Sequence, residues 1–192
     1  MRYPPGHREA TRARILEAAG KLFRSRGYAA TGVDAVMSAA ELTAGAFYSH
    51  FASKDALFAA TLRSTLADAA KSWREGLAGV DEGARVDTFI ERYLSTQHRD
   101  AAEVGCALAS LGPEAARAGD ETKRAVDEEW GGFLTWMESS LRGSHRAERA
   151  IAIFALCAGG VLLSRAVADA AFSERILKAC KRAARNLVSA TK

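Results

Sequence analysis

The segment from Thr31 to Asp55 constrains the fold of this chain more than any other, because it reads as two short helices joined by a tight turn. Thr31 stands where it can cap the first helix, with Asp34 three residues later as a capping-box partner. The turn that follows spans residues 39–42. Apolar residues of the first helix fall at i, i+3 and i+4 and form one face, made of Val33, Val36 and Met37.

The second helix of this segment is predicted to begin at Thr43, with Ala46 and Phe47 on its buried side. Two compact helices that meet at a short turn have helix-turn-helix geometry, in which the second helix enters the major groove of DNA. Ser53 is expected to cap a third helix, which places the ammonium group of Lys54 beside its first turn. The sequence therefore predicts a DNA-binding unit near the N-terminus.

The run from Thr11 to about Leu62 resembles the DNA-binding domain of the TetR family of bacterial transcriptional regulators. The resemblance rests on an opening helix, ARILEAAGKLFRSRGY, followed by TAGAFYSHF from Thr43 and then by the triplet Ser53-Lys54-Asp55. One departure is Glu41, at a position in the turn where the family often has glycine. A non-glycine residue in a left-handed turn costs about 1 kcal/mol, which a stable core can absorb.

The resemblance implies an all-α fold, with an N-terminal three-helix helix-turn-helix DNA-binding domain and a C-terminal helical domain for ligand binding and dimerisation. Residues 1–54 are expected to form an N-terminal arm and the DNA-binding domain, and residues 55–192 the effector-binding and dimerisation domain. The expected partner of the first domain is double-stranded operator DNA. The expected contacts with DNA are Thr31, Thr43, Ala44, Gly45, Tyr48, Ser49, His50 and Lys54.

Charge is distributed unevenly along the chain. Residues 1–54 hold eight lysines and arginines against four acidic residues, a net charge of +4, whereas residues 55–192 hold 19 of each kind. The whole net charge therefore belongs to the helix-turn-helix end, which favours a polyanionic partner for that end alone. Chance clustering of surface charge is the alternative explanation.

Helical periodicity continues through the rest of the chain, which has only three prolines and no stretch that alternates like a strand. A short helix is predicted to open at Gly105-Cys106 and to break at Leu111-Gly-Pro113, with another turn or two over 114–117. The longer helices are predicted over residues 7–26, 53–77, 84–99, 120–141, 147–170 and 173–190.

Large aromatic residues are spread over the neutral C-terminal part, and most of them are expected to be ordinary core. The family resemblance implies that some line a pocket for a small-molecule effector. Cys106, at a predicted helix N-terminus, is also a candidate sensor of oxidants or electrophiles, because the helix dipole stabilises a thiolate there. A buried, structural cysteine is the alternative. The pocket candidates are Phe89, Tyr93, Cys106, Trp130, Phe133 and Phe154.

The last two predicted helices combine small residues with an apolar seam. Small residues let a second helix approach closely, so two such helices from each of two subunits predict a four-helix homodimer interface. The alternative is that both helices form the core of a monomer. The interface candidates are Ala155, Gly159, Leu163, Leu177 and Leu187.

No motif for catalysis is present: the four histidines lack metal-ligand spacing, and neither HExxH nor GxSxG occurs. The sequence therefore predicts no catalytic residue, no cofactor and no metal site. Three cysteines without CxxC pairing fit a reducing cytoplasm. The most apolar run, from Ala150 to Leu163, is shorter than the roughly 20 residues that span a bilayer, so it predicts a buried helix rather than a membrane segment.

Together these features predict a cytoplasmic, homodimeric transcriptional repressor that a small-molecule effector or thiol modification releases from its operator. The alternative is an all-helical enzyme or interaction domain with an incidental helix-turn-helix.

Overall fold

The computed structural model describes residues 6–101 and 105–189, and within these ranges the regular secondary structure is helical without any strand. This confirms the all-α prediction. Residues 1–5 of the N-terminal arm predicted over residues 1–6, and the predicted end of the last helix at Ala190, lie outside the described residues. Short 3₁₀ helices span Ala44–Ser49 and Glu82–Ala84. The α-helices are α1 His7–Arg26, α2 Val33–Ala39, α3 Lys54–Gly76, α4 Arg85–Tyr93, α5 Thr96–Asp100, α6 Ala107–Arg117, α7 Asp120–Ser139, α8 Arg146–Ala166 and α9 Ala170–Ser189.

Helix α1 has the bounds that the sequence predicts. Its apolar stripe is buried, with Ile15, Ala19 and Phe23 fully shielded from solvent. Gly27 ends the helix with a φ of 81°, in the left-handed region that glycine adopts without strain, and its N–H donates to the Phe23 carbonyl at 2.8 Å.

The helix predicted over residues 84–99 is wrong, because the chain breaks there into α4 and α5. Leu94 ends α4 in a non-helical conformation, and its side chain is buried. The hydroxyl of Ser95 then accepts a hydrogen bond from the His98 N–H at 3.1 Å and caps α5. A local capping signal at Ser95 therefore ends one helix and begins another.

The predicted break at Pro113 is also wrong, since α6 runs through it without interruption. Proline in a helix interior costs about 3 kcal/mol. Leu111 and Ala115, four residues apart, are both buried against the N-terminal helices. Burial of this continuous face therefore outweighs the local preference to break.

The junction between the last two helices falls earlier than predicted. Helix α8 ends at Ala166, and α9 already begins at Ala170. The N–H of Phe172 donates to the carboxylate of Asp169, which lies just before α9. Asp169, rather than Ser173, therefore supplies the helix-start signal.

Two clusters of buried side chains stabilise the fold. The N-terminal core joins α1, α2, the 3₁₀ helix Ala44–Ser49 and the first half of α3, and α6 contributes to it. The body core is built mainly from α4, α7, α8 and α9. Helix α3 supplies Leu62 and Leu66 to the first core and Ala70 to the second. One helix therefore runs from one core into the other, past the boundary expected at residue 54.

Among the described helices, α8 alone is long and apolar enough to cross a bilayer by length and composition, with a mean hydropathy of 1.6 over 18 residues. Within the fold, 44% of that window is buried. Ile153, Cys157 and Val161 are fully buried against the body core. Packing inside the protein therefore explains the apolar character of the buried face of α8.

Candidate functional site

The turn between α2 and the 3₁₀ helix Ala44–Ser49 is held by its own backbone. Glu41 has a φ of 56°, so the expected non-glycine residue in the left-handed region is confirmed. The N–H of Leu42 donates to the Met37 carbonyl at 2.9 Å and closes the turn. Arg14 of α1 donates to the Ala40 carbonyl at 2.6 Å and also approaches the Glu41 carboxylate at 3.4 Å. These contacts offset the strain at Glu41 and fix the turn against α1.

The second element of the motif is a 3₁₀ helix rather than an α-helix, and it presents small and polar side chains to solvent. Phe47 is buried in the N-terminal core and anchors it, whereas the neighbouring Tyr48 is 76% exposed. A six-residue segment is short enough for 3₁₀ geometry. Five of the expected DNA-contacting residues share this exposed surface, which we call the recognition surface: Thr43, Ala44, Gly45, Tyr48 and Ser49.

Thr31 does not have the predicted place. The cap of α2 is Gly32, and Thr31 makes no capping bond. Its side chain is 1% exposed and donates its hydroxyl to the Gly27 carbonyl at 2.8 Å. The predicted cap at Thr31 is therefore wrong, and the side chain is turned away from the surface that DNA could reach. The hydroxyl of this buried side chain is thereby satisfied by the carbonyl that follows α1.

His50 lies at the end of the recognition surface, half-buried beside the start of α1. Its Nδ1 atom is buried without a hydrogen-bond partner among the described residues. Burial, and then the positive charges of Arg8 and Arg12, lower the pKa of His50. Arg8 also donates to the Ser49 carbonyl at 3.1 Å, and Arg12 lies over the Phe51 ring at 4.9 Å. The sequence reasoning missed these two arginines, because they belong to α1 rather than to the motif.

Lys54 stands at the N-terminus of α3, beside the recognition surface. Ser53 accepts a hydrogen bond from the Ala56 N–H at 3.0 Å, so the predicted cap is confirmed. The ammonium of Lys54 lies 4.2 Å from the centre of the Tyr28 ring, a cation–π contact. The hydroxyl of Tyr28 donates to the Asp55 carboxylate. Tyr28 was not among the expected site residues, although it directly follows the glycine that ends α1.

A cavity of about 770 Å³ is lined by residues of α1, α3 and the body helices. Its volume lies within the roughly 300–1,000 Å³ of small-molecule sites. The exposed end lies between α1 and α3 and is polar, with Glu17, Lys21, Arg24, Ser64 and Asp68. The buried end is aromatic, with Trp73, Tyr93, Trp130, Phe133 and Phe154.

Five of the six expected pocket residues line this cavity, namely Tyr93, Cys106, Trp130, Phe133 and Phe154. The exception is Phe89, which is fully buried and does not line it. Its ring packs behind the wall, 4.8 Å from Trp73 and 5.5 Å from Phe133 between centroids. The expectation for Phe89 is therefore corrected to a supporting role in the core.

Helices α8 and α9 leave an apolar strip on the surface. Ala155 and Leu163 of the expected interface are exposed, and nothing lies within 4 Å of a Cβ built on Gly159. Ile151 and Leu162 extend the strip along α8. Leu187 is partly buried against the body core, and Leu177 is only 3% exposed. Leu177 is therefore part of the subunit core rather than of the exposed strip.

The residues of the helix-turn-helix coincide with a known family. Residues 15–61 match the family described as bacterial regulatory proteins, tetR family. The chain belongs to the TetR family. The HTH-type transcriptional regulator UidR of Escherichia coli K12 is 31% identical over 90 residues, which cover 47% of this chain and 44% of UidR. The HTH-type transcriptional repressor KstR2 of Rhodococcus jostii RHA1 is 30% identical over 132 residues, covering 68% of this chain and 59% of KstR2.

The match of this TetR-family chain thus spans about half of the length of such relatives, 44% and 59% in these two cases. The similarity of the fold covers more of the chain than the sequence match does. A TetR-family transcriptional regulator of Cytophaga hutchinsonii superposes with a TM-score of 0.80 and 18% identity, covering 99% of this chain and 100% of the other. This likeness concerns the arrangement of the helices.

The three cysteines of this TetR-family chain are free thiols. Cys106 is the N-cap residue of α6, as predicted, but it is only 8% exposed. Burial, and then the neighbouring Cys180 and Cys106, raise the pKa of Cys157, and burial also raises that of Cys180. Across residues 6–101 and 105–189, no group of three or more histidine, cysteine or acidic side chains is arranged to hold a metal ion.

Proposed function

We propose that this protein is a homodimeric repressor of transcription that acts in the cytoplasm and binds operator DNA through its recognition surface. The observation that carries the proposal is the exposed 3₁₀ helix Ala44–Ser49, which is anchored by the buried Phe47. Thr43, Ala44, Gly45 and Ser49 are the proposed neighbours of the base edges. Tyr48 and Lys54 are proposed to bind phosphates, and His50 to lie at the DNA backbone.

Ala44 and Gly45 offer little hydrogen-bonding chemistry, so base reading by this surface is limited. Their small size instead allows the backbone to approach the groove closely. Specificity then depends partly on the shape and deformability of the DNA, which contribute without direct base contacts.

The proposed dimer uses the apolar strip on α8. Operators with two half-sites require two recognition surfaces about 34 Å apart on one face of the DNA. Exposed Leu162 and Leu163, with small residues between the larger ones, suit close packing of α8 against a second copy of itself or of α9. Sedimentation of the wild-type protein as a monomer at micromolar concentration would remove this part of the proposal.

A matched pair of variants tests the strip. Gly159→Trp fills a position where nothing lies within 4 Å in the subunit, so we expect a folded protein that no longer dimerises. Gly131→Trp is the control, because Gly131 is equally open but lies on α7. Loss of dimers in both variants would show that the strip is not specific.

The proposed signal is a small molecule held in the cavity. The cavity touches α1, which packs against the helix-turn-helix, and α3, which begins beside the recognition surface. A ligand there contacts both α1 and α3. In the proposed dimer, the relative position of these helices sets the placement of the two recognition surfaces. Release from DNA requires that the ligand bind more tightly to the arrangement of the protein that cannot bind DNA than to the arrangement that can.

Thiol modification of Cys106 is the second candidate signal. It is favoured by the position of Cys106 at the N-terminus of α6 and at the cavity wall, and it is opposed by the burial of the side chain. Cys106→Ser should abolish release by oxidants or electrophiles and leave operator affinity unchanged. If the variant releases DNA as readily as the wild type, the thiol is structural and the reversible ligand remains.

The test of DNA binding begins with sequencing the DNA that co-purifies with the protein, which identifies operators and regulated genes together. Affinity for a recovered fragment is then measured by fluorescence anisotropy between 50 and 200 mM salt, roughly the range over which phosphate contacts give a steep negative slope. A flat salt dependence, or no enriched fragment, would favour the alternative of an all-helical enzyme or interaction domain.

A further inference from the structure

Two hydrogen-bond donors at the buried end of the cavity lack partners. The hydroxyl of Tyr93 and the indole N–H of Trp130 are buried, belong to cavity-lining residues, and make no hydrogen bond within the described parts of the chain. The thiol of Cys106 lies within hydrogen-bonding reach of the Tyr93 hydroxyl, but a thiol is only a weak acceptor and leaves this donor poorly satisfied. Nearly all buried polar groups in folded proteins are paired, so two orphans in one cavity require an explanation.

The two donors belong to one wall. The ring of Phe154 packs against both residues, with its centroid 6.0 Å from that of Tyr93 and 5.5 Å from that of Trp130. Phe133 packs against the same ring at 5.9 Å. A ligand lying on this aromatic wall can therefore reach both donors while its remaining surface stays among apolar side chains.

The buried end of the cavity is electrically neutral. None of the charged residues that line the cavity is buried, and these are Glu17, Lys21, Arg24, Asp68 and Glu129. His98 lines the buried end, where burial and then the charge of Arg165 lower its pKa and favour the neutral ring. Its Nδ1–H donates to the Tyr93 carbonyl at 2.7 Å.

Arg165, whose positive charge acts on Tyr93, does not line the cavity. Arg165 is turned to neutral acceptors and donates to the carbonyls of His98 and Arg99 and to the Ser110 hydroxyl. A carboxylate at the buried end would therefore lose its water without a cavity-lining cation there to form an ion pair, which is unfavourable. Burial raises the pKa of Tyr93, so its hydroxyl keeps its proton and stays a donor.

We propose that the cavity binds a neutral, mainly apolar molecule with a carbonyl-type oxygen, and that Tyr93 and Trp130 donate hydrogen bonds to acceptors on it. This inference rests on the proposed function of the cavity as an effector site, and it names the chemical class of that effector. A carbonyl oxygen accepts hydrogen bonds without carrying a net charge, so it suits these two donors. The flat, apolar remainder of such a molecule suits the aromatic wall.

The test uses three naphthalenes of similar size: 2-acetylnaphthalene, 2-ethylnaphthalene and 2-naphthoate. Their affinities are measured by equilibrium dialysis with the wild-type protein and with Tyr93→Phe and Trp130→Phe. Each variant should bind the ketone about fivefold more weakly than wild type, since a net hydrogen bond contributes roughly that factor. Neither variant should change the affinity for the ethyl compound, and 2-naphthoate should bind at least about tenfold more weakly than the ketone.

Trp136→Phe is the control, because Trp136 is partly buried in the body core but does not line the cavity. It should leave all three affinities unchanged. Equal losses for the ketone and the ethyl compound in Tyr93→Phe and Trp130→Phe would overturn the proposal. Tighter binding of 2-naphthoate than of the ketone would also overturn it.

Thermal unfolding provides a second readout that does not need a ligand. Tyr93→Phe removes an unpaired buried hydroxyl, so its melting temperature should equal or exceed that of the wild type. A clear decrease would mean that the hydroxyl is already paired, and it would contradict the premise.

Operator binding by the same variants separates the two proposals. Intact DNA binding without ketone binding removes the ligand class alone, whereas absent DNA binding in the wild type removes the proposed function.

Discussion

The contact between Tyr28 and Lys54 allows the position of a charge that we propose to bind DNA to be tested separately from the charge itself. The Tyr28 ring lies under the Lys54 ammonium, and its hydroxyl donates to Asp55. Both contacts tie the start of α3 to the segment after α1. Tyr28→Leu removes both contacts, whereas Tyr28→Phe keeps the aromatic ring and removes only the hydrogen bond.

The expected size of the effect follows from the geometry. An exposed cation–π contact contributes about 0.5–1 kcal/mol, which corresponds to a change of about two- to fivefold in affinity. Tyr28→Leu should therefore weaken operator binding by about two- to fivefold, if the contact holds Lys54 where a phosphate can reach it. Tyr28→Phe should change affinity by less than about twofold, because the ring that faces the ammonium is retained.

The salt dependence distinguishes the two kinds of loss. Lys54→Ala removes the proposed phosphate contact, so it should weaken binding to all sequences and reduce the magnitude of the log–log salt slope by about 1. Tyr28→Leu leaves the charge in place and should keep the wild-type slope. Anisotropy titrations of all four proteins on one operator fragment measure both quantities.

Two results would refute this reasoning. Wild-type or stronger affinity in Tyr28→Leu would mean that Lys54 does not need the ring, and a slope reduced as in Lys54→Ala would mean that the charge itself was lost. Tyr28 also packs 4.7 Å from the ring of Phe58 and 5.8 Å from that of Phe23. Circular dichroism must therefore establish that Tyr28→Leu remains folded at the assay temperature.

Three further predictions concern stability. Gly159→Ala should raise the stability of the fold by about 0.5–1 kcal/mol through helix propensity. Gly160→Ala should lower it by about 1–3 kcal/mol, because the new Cβ would lie 2.9 Å from Leu94 Cδ2 and 3.0 Å from Cys180 Cβ. Denaturant unfolding of both variants measures the difference. Burial lowers the pKa of His98 below its ordinary 6.5, so the unfolded chain takes up the proton at a higher pH than the folded protein does. The stability of the fold should therefore decrease as the pH falls below 6.5, and melting curves should show a smaller decrease in His98→Asn. Burial and then Asp55 raise the pKa of Tyr28 to about 12 from 10.0, so the stability that it contributes is complete below pH 10.0 and is lost as the pH rises towards 12; Tyr28→Phe should lose this alkaline component.

The parts of the fold that the sequence predicts correctly depend on local chemistry. The bounds of α1 follow from an apolar stripe and a terminal glycine, and Ser53 caps α3 because an N-cap bond joins residues three apart. The left-handed conformation of Glu41 is implied by the family resemblance, since the family often has glycine at that position of the turn. Each of these features is decided within a few residues, so sequence patterns report them directly.

The features that the sequence does not predict depend on distant partners. Arg149 reads as a polar flank of an apolar run, yet it is 7% exposed and donates to the carbonyls of Arg142, Ser144, Leu187 and Val188. Only the approach of α9 to the loop before α8 supplies those acceptors. The candidate site is likewise predicted only in part. A 3.6-residue period places aromatic residues in the interior but does not decide which of them face the cavity.

The course of α3 explains why a ligand in the cavity could control DNA binding. The helix lines the cavity at Thr65, Ala69 and Trp73 and begins at Lys54 beside the recognition surface. Lys54 is 19 residues from Trp73, about 28 Å at the helical rise, so a tilt of about 5° at the cavity moves the start of the helix by about 2–3 Å. Opposite movements in two subunits would alter a spacing that must match major grooves about 34 Å apart.

The energy needed for such a change is small, since a tenfold loss of DNA affinity corresponds to about 1.4 kcal/mol of coupling. Affinity for the cavity and power to release DNA are nevertheless separate quantities. A molecule that fits both tilts equally well shifts nothing, however tightly it binds. By reciprocity, an effective ligand must bind the free protein about tenfold more tightly than the operator complex for each tenfold loss of DNA affinity. Measuring the affinity of one aryl ketone for the free and the operator-bound protein therefore tests the coupling, and equal affinities alongside release of DNA would contradict it.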